Sequence, residues 1–187
     1  MYDSYRWMAT FGDPSFEFHA AAAKIWGSVA IRLADAPVLP FDYTRTGDDL
    51  QKYLAVITAA TAKSAVAAEK ALDFSLMTAA VAAFAAAAAK AKADAAAAAG
   101  RADELERRML NDRFLGAQRA FLVPEGLRGR PWYKHAVFSP AENNAYASAK
   151  FPSVSDALAA KDWAEAQLQI AVAARAIERA ATILRGA

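Results

Sequence analysis

Apolar residues recur every three or four positions in five separate blocks of this chain, and that period predicts helices. In the first block Phe18, Ala22, Ile25, Val29 and Leu33 share one stripe, widened by Trp26 and Ala30. Asp13 stands where an N-cap belongs, Pro14 suits a first helical position, and Pro37 and Pro40 close the block. An apolar arc of that width predicts burial against more than one neighbour, and Gly27 inside it predicts a close helix contact. The second block runs from about Thr46 to Lys70 with Leu50, Tyr53, Leu54, Ile57, Ala60 and Ser64 inward and Asp48 paired with Lys52. The third, Ser75 to Ala99, starts with Leu76, Val81 and Phe84, becomes almost pure alanine, and stops at Gly100. Lys90 and Asp94 stand one turn apart within it.

A fourth block, Ala102 to Leu122, opens with Asp103–Arg107 and Glu104–Arg108 pairs, read as a solvated face, and then lines up Leu110, Phe114, Ala117 and Phe121. In the fifth, Asp162 to Arg185, Trp163, Ala166, Ile170, Ala173, Ile177, Ala180 and Leu184 form an unbroken seam. Asp162 and Glu165 have capping-box spacing at its start. No alternating strand pattern of any length is present. The expected fold is all-α, an up-and-down four-helix-type bundle with a long ordered loop before the last helix.

That loop breaks the pattern. From Pro124 about 30 residues carry four of the seven prolines and two of the three asparagines of the chain, with five aromatics and two glycines among them. Connections beyond ~12–15 residues are functional or disordered, and this one is too rich in Phe, Tyr, Trp and Val for disorder. It is expected to be an ordered excursion serving something outside the helices.

Composition narrows the chemistry. At 187 residues the chain can bury a core unaided. A formal charge of +2 is too small to argue for nucleic acid or an anionic membrane. The absence of cysteine removes disulfides and thiolate chemistry. Ala79–Ala99 is long enough to span a bilayer, but Lys90, Lys92 and Asp94 interrupt it, so it is read as non-spanning. Tyr2 is not preceded by a signal peptide, which points to a cytoplasmic chain or a fragment. The apolar start (Tyr5, Trp7, Met8, Phe11) predicts that something covers it.

With two histidines, a self-contained zinc site would need His19, His135 and a carboxylate to converge, and no spacing supports that. Neither histidine follows a glutamate by three, as di-iron bundles require, and no serine lies in a nucleophile elbow. His19 has no ligand partner at i+3 or i+4 and is read as a core or surface residue. Arg128, Arg130, Trp132 and Lys134 form a small basic-aromatic cluster. The favoured reading has Arg130 tying down the loop and Trp132 plugging a gap, ahead of phosphate or base contact.

The segment LNDRFLGAQRAFLVPEGLRGRPWYKHAVFSPAENNAYASAKFPSVSDAL resembles the C-terminal domain of glutamate carboxypeptidase II and its relatives, the transferrin-receptor-like zinc peptidases. The resemblance is carried by Asn111-Asp112, Arg119-Ala120-Phe121, Pro124, Gly126-Leu127, Arg130-Pro131-x-Tyr133-x-His135, Pro140, Asn144, Tyr146, Phe151-Pro152 and Asp156-Ala157-Leu158. Near the start, Phe11-x-Asp13-Pro14, Phe16, His19 and Leu39-Pro40-Phe41-Asp42 sit where that family has similar words.

The resemblance implies a homodimerisation domain, with residues 1–12 as the end of a truncated catalytic domain or linker and 13–187 as the helical dimerisation domain. It implies partners in a second copy and in the catalytic domain of the parent chain, with no nucleic acid and no membrane contact from this domain. Zinc and the catalytic glutamate would lie in the missing catalytic domain, so this chain would carry no cofactor and no peptidase activity. The parent would be secreted, periplasmic or on the cell surface. The resemblance also implies that the loop enters the parent's substrate pocket, with Tyr146 and Asn144 as substrate-binding residues. Where the family has a lysine beside that tyrosine, this chain has Ala145, which removes a cation aimed at the substrate's terminal carboxylate. A receptor-like or scaffold module of the same architecture is the alternative.

Overall fold

A computed structural model describes residues 4–62, 71–100, 103–142 and 144–186. Tyr2, Ser64, Lys70 and Ala102, named above, lie outside the described residues. The chain divides into two compact units, residues 1–40 and 41–187.

In the first unit a single turn, Tyr5–Trp7, runs into a π-helical stretch, Met8–Gly12, closed by the Asp13 N–H on the Met8 carbonyl (2.8 Å). Helix α1 spans Glu17–Ala34. Asp13 does act as a cap, but from a distance. Its buried carboxylate accepts from the His19 backbone N–H (2.9 Å) and from His19 Nδ1 (2.6 Å). A turn at Pro14 and Ser15 and a left-handed Phe16 (φ 57°) intervene, so Pro14 does not open the helix.

The expected burial of α1 is not found. No residue of it is buried, and Phe18, Ile25, Trp26 and Ile31 are 63–77% exposed. A Cβ at Gly27 would meet nothing, so that glycine answers no close contact here. Periodicity reports which side chains share a face; it does not say what covers them.

The second unit is the expected bundle of four long helices: α2 (Tyr43–Ala62), α3 (Ser75–Ala99), α4 (Glu104–Ala120) and α6 (Trp163–Arg185). The shorter α5 (Pro152–Ala159) precedes the last of these. Its centre is the contact of α3 with α6, and α2 and α4 pack on either side. Both central helices meet through alanine: α3 buries Ala80, Ala87, Ala88 and Ala91, and α6 buries Ala166, Ala173, Ala176 and Ala180. Short side chains let helix axes approach toward the ~8 Å end of the usual range. Larger groups fill the flanks: Leu50 and Ile57 from α2, Met77 and Phe84 from α3, Leu110 and Phe114 from α4, and Ile170, Ile177 and Leu184 from α6.

Aromatic rings link these layers. Tyr43 lies 6.3 Å from Phe84 and 5.8 Å from Phe114, and Phe84 lies 5.5 Å from Phe121. The Tyr43 hydroxyl donates to the Phe114 carbonyl (2.5 Å), and burial pushes its pKa up to about 12.

Charges pin the periphery. Lys90 pairs with Asp94 as expected (2.7 Å), and Arg113 of α4 joins the same carboxylate (3.2 Å) while also donating to the Leu184 carbonyl. Left-handed Gly186 (φ 78°) then ends α6. Lys52 pairs with Asp49 (3.5 Å) rather than Asp48. Ala60 and Leu76 are exposed, and Tyr53 and Trp163 are half-buried. By length and composition α3 could cross a bilayer. In this fold its buried stripe faces α2 and α6, and Lys92 reaches Asp42 (2.9 Å).

The long connection is not helix-free loop alone. It contains two antiparallel strands, β1 (Phe138–Ala141) and β2 (Asn144–Lys150), which the sequence reading missed, and then α5. The strands escape detection because β1 has only four residues, one of them Pro140, and three of the seven residues of β2 are alanine. Phe84→Ala removes a ring touching three layers and is expected to cost about 3–5 kcal/mol in urea unfolding. Val56→Ala, at a 70% exposed site, should stay within about 0.5 kcal/mol.

Candidate functional site

The β1–β2 hairpin is held by contacts that begin at the end of α4. Leu122 and His135 form an isolated antiparallel bridge, Val123 N–H donates to the Lys134 carbonyl (2.8 Å), and Ala136 N–H donates to the Phe121 carbonyl (3.0 Å). The intervening residues fold back through left-handed Gly126 (φ 69°), where any Cβ would run into the Pro131 carbonyl. Leu127 plugs this turn, 3% exposed, and its N–H donates to the Tyr133 carbonyl (2.9 Å).

Two guanidinium groups supply the remaining grip. Arg179 on α6 donates to the carbonyls of Ala120 (3.1 Å) and Leu122 (3.2 Å), satisfying acceptors that the end of α4 leaves open. Arg130 bridges the hairpin to α5: one nitrogen donates to the Pro140 carbonyl (2.8 Å), another to the Asp156 carboxylate (2.6 Å). Its plane also lies over Tyr133, 5.7 Å from the ring centroid. Arg130 therefore ties down the loop, as its sequence context suggests. Trp132, by contrast, is 67% exposed and plugs no gap.

The far end of the hairpin is anchored by Phe151, fully buried in a left-handed conformation (φ 45°). Such a backbone costs of order 1–3 kcal/mol at a bulky residue, and burial of the ring offsets it. Its carbonyl accepts from Ser155 N–H (2.9 Å), and its N–H donates to the Val137 carbonyl (2.7 Å). Lys150 places its ammonium on Ser148 Oγ (2.6 Å) and over the Tyr53 ring (5.0 Å).

Tyr146 stands out at the tip. Its side chain is fully exposed, at 103% of the reference value. Asn144 shapes the turn beneath it, its Oδ1 accepting from the Tyr146 N–H (3.0 Å). The side chain of Ala145 lies outside the described residues. Between the tip and the end of α4 lies an open hollow of about 600 Å³, lined by Leu122, Trp132, Tyr133, His135, Phe138 and Tyr146 among others. It is mostly aromatic. Burial pulls the His135 pKa below its ordinary value.

Tyr146 and Asn144 thus sit together on one clamped hairpin, whereas the basic cluster disperses. Arg130 is spent on the hairpin, Lys134 donates to the Pro124 carbonyl, and Arg128 leans on Asp162 (3.4 Å). His19 and His135 lie in different units, and among the described residues no three His, Asp or Glu side chains converge as a metal site. Sequence spacing could not reveal Arg179 as part of the support, because it lies 57 residues from Leu122.

The sequence profile of the transferrin receptor-like dimerisation domain matches residues 72–185. The chain is 37% identical to a probable glutamate carboxypeptidase VP8 of Zea mays over 98% of its own length, and 35% identical to a probable glutamate carboxypeptidase LAMP1 of Arabidopsis thaliana over all of it. It is 31% identical to the aminopeptidase NAALADL1 of Rattus norvegicus over 98%. In each case the chain spans only about a quarter of the relative, 25–27%.

Arg130→Met should leave Asp156 unpaired and the Pro140 carbonyl with only the Ser139 hydroxyl as donor. The expected loss is about 1–3 kcal/mol, kept below the value for a fully buried pair because Asp156 is partly exposed. Hydrogen exchange should quicken selectively at β1 and β2. Arg130→Lys should not rescue it, since one ammonium cannot reproduce the planar fork.

Proposed function

The chain belongs to the transferrin receptor-like dimerisation domain family, and from that premise we propose that it is the homodimerisation domain of a glutamate carboxypeptidase-like zinc exopeptidase and lends its β1–β2 hairpin to the parent's substrate pocket. The observation that carries the second half is Tyr146: a large side chain, wholly in solvent, on a hairpin whose root is clamped by Arg130, Arg179 and Phe151. A rigid base under an unpartnered tip is what a contributed contact requires, because the ordering cost is met before substrate arrives.

The Tyr146 hydroxyl would donate to a substrate carboxylate. Asn144 would hold the tip in shape and face the same ligand. With alanine at 145 in place of the family's lysine, no cation stands beside that hydroxyl in sequence, and Lys150 is turned onto Ser148 and Tyr53. The parent would then accept terminal residues other than glutamate. Zinc and the catalytic glutamate belong to the part of the parent outside this chain, which by itself would not hydrolyse peptides. The exposed Phe18, Ile25 and Trp26 of α1 fit the same reading, as surface that the rest of the parent would cover.

Light scattering at micromolar concentration should give twice the chain mass of 19.9 kDa; a strict monomer would count against the dimer. In the full-length parent, Tyr146→Phe should raise KM for an N-acylated dipeptide about 10-fold or more, as loss of a hydrogen bond to a charged group does. kcat and thermal stability should hardly move. An unchanged KM would remove the hairpin from the pocket.

A further inference from the structure

We propose that His135 is a pH-sensitive pin: its neutral imidazole holds the hairpin-bearing segment against the end of α4, and its protonation lets that segment open. The geometry requires the neutral form. Nδ1 accepts the Val137 N–H (3.2 Å), so the ring proton must sit on Nε2. The ring is stacked between Phe121 (5.4 Å, 26°) and Phe138 (4.0 Å, 23°), one from the end of α4 and one from β1.

Val137 makes this contact consequential. Its N–H is held by His135, and its carbonyl accepts from the N–H of Phe151, the residue that anchors the far end of the hairpin. Disturbing the imidazole therefore reaches both ends of the β1–β2 unit.

The surroundings offer an imidazolium no relief. Lys134 and Tyr133 are its neighbours on the segment itself, α6 brings Arg179 to the carbonyl of Leu122, and β2 brings Tyr146, Ser148 and Lys150. β1 adds only Phe138, Ser139 and Pro140, and no carboxylate of the described residues lines the hollow. A charged ring would gain some attraction from the two phenyl faces. It would also set N–H against N–H at Val137, with no carboxylate in the hollow to offset the charge.

The sign follows from burial. With the folded-state pKa below the ordinary imidazole value of 6.5, the unfolded or opened segment takes the proton first as pH falls. The pin's contribution is whole above about pH 6.5 and is lost as pH drops through the lower folded value. This holds whatever the hairpin touches in the parent, so it stands or falls separately from the substrate role of Tyr146.

The test is an NMR titration of the 187-residue chain from pH 7.5 to 4.5, with His19→Gln to assign the two imidazole signals. It is read beside amide exchange corrected for intrinsic pH dependence. His135 should titrate below 6.5. Protection at Val137, Phe151 and the β1–β2 amides should begin to fall near pH 6.5 and level off below the His135 midpoint, by about tenfold for each unit that separates the two, while α3 and α6 amides hold. His135→Gln keeps an acceptor without a proton to gain and should flatten that dependence; His135→Phe keeps the stack and should flatten it too. A His135 midpoint at or above 6.5, loop protection that ignores pH, or the same acid loss in His135→Gln would overturn the pin. If both variants fail to fold, the wild-type window decides: a loss confined between about pH 6.5 and the His135 midpoint supports the pin, and any other window overturns it.

Discussion

The alanine-lined contact between α3 and α6 is the constraint on which the rest of the second unit depends. Ala87, Ala88 and Ala91 on one helix face Ala-rich turns on the other, so the backbones approach closely and leave no room for larger groups at the centre. Everything bulky is displaced outward, where Phe84, Phe114, Phe121 and Tyr43 join the central pair to α2 and α4. A lean centre with aromatic flanks also fixes where α4 ends, because Phe121 is both a core residue and the first point at which the chain leaves the bundle.

From Phe121 onward the structure is held by point contacts together with a few buried side chains, Leu127, Val137 and Phe151. Arg179 closes the end of α4, Arg130 spans from Pro140 to Asp156, and Val137 sits between His135 and Phe151. These bonds satisfy polar groups that leave water on partial burial, and with the buried side chains they make the segment rigid. They also make it sensitive: a scaffold of few contacts can be opened by changing one. The bundle, with many small apolar contacts, has no comparable weak point.

The arrangement separates two duties. The helices supply extended, mostly alanine surface suited to close packing, and the hairpin presents one aromatic hydroxyl away from them. Membership in a dimerisation family agrees with the first duty, while the exposure of Tyr146 motivates the second.

Much of this was legible in the chain itself. The 3.6-residue period located α3 and α6 to within a residue or two and named six of the nine buried positions of α6, because helix geometry ties spacing to face; in α3 it named only Val81 and Phe84 of eight, because a run of alanine shows no face. The capping pattern at Asp162 and Glu165 was realised as a hydrogen bond of 3.1 Å. The over-long connection announced itself through composition, and its motif words pointed to Tyr146 and Asn144. Other features could be decided only in three dimensions. The stripe on α1 is as regular as any other, yet nothing in it is buried, since periodicity carries no information about a partner surface. The two short strands depend on pairing between residues whose own propensities are weak. The grip on the hairpin comes from Arg179 and Asp156, brought to the loop by helix packing rather than by proximity in sequence. So the chain alone determined which residues belong to each helix face and which stretch is exceptional. Tertiary packing decided what those faces meet and how the exceptional stretch is held, because both depend on distances between segments that no local pattern encodes.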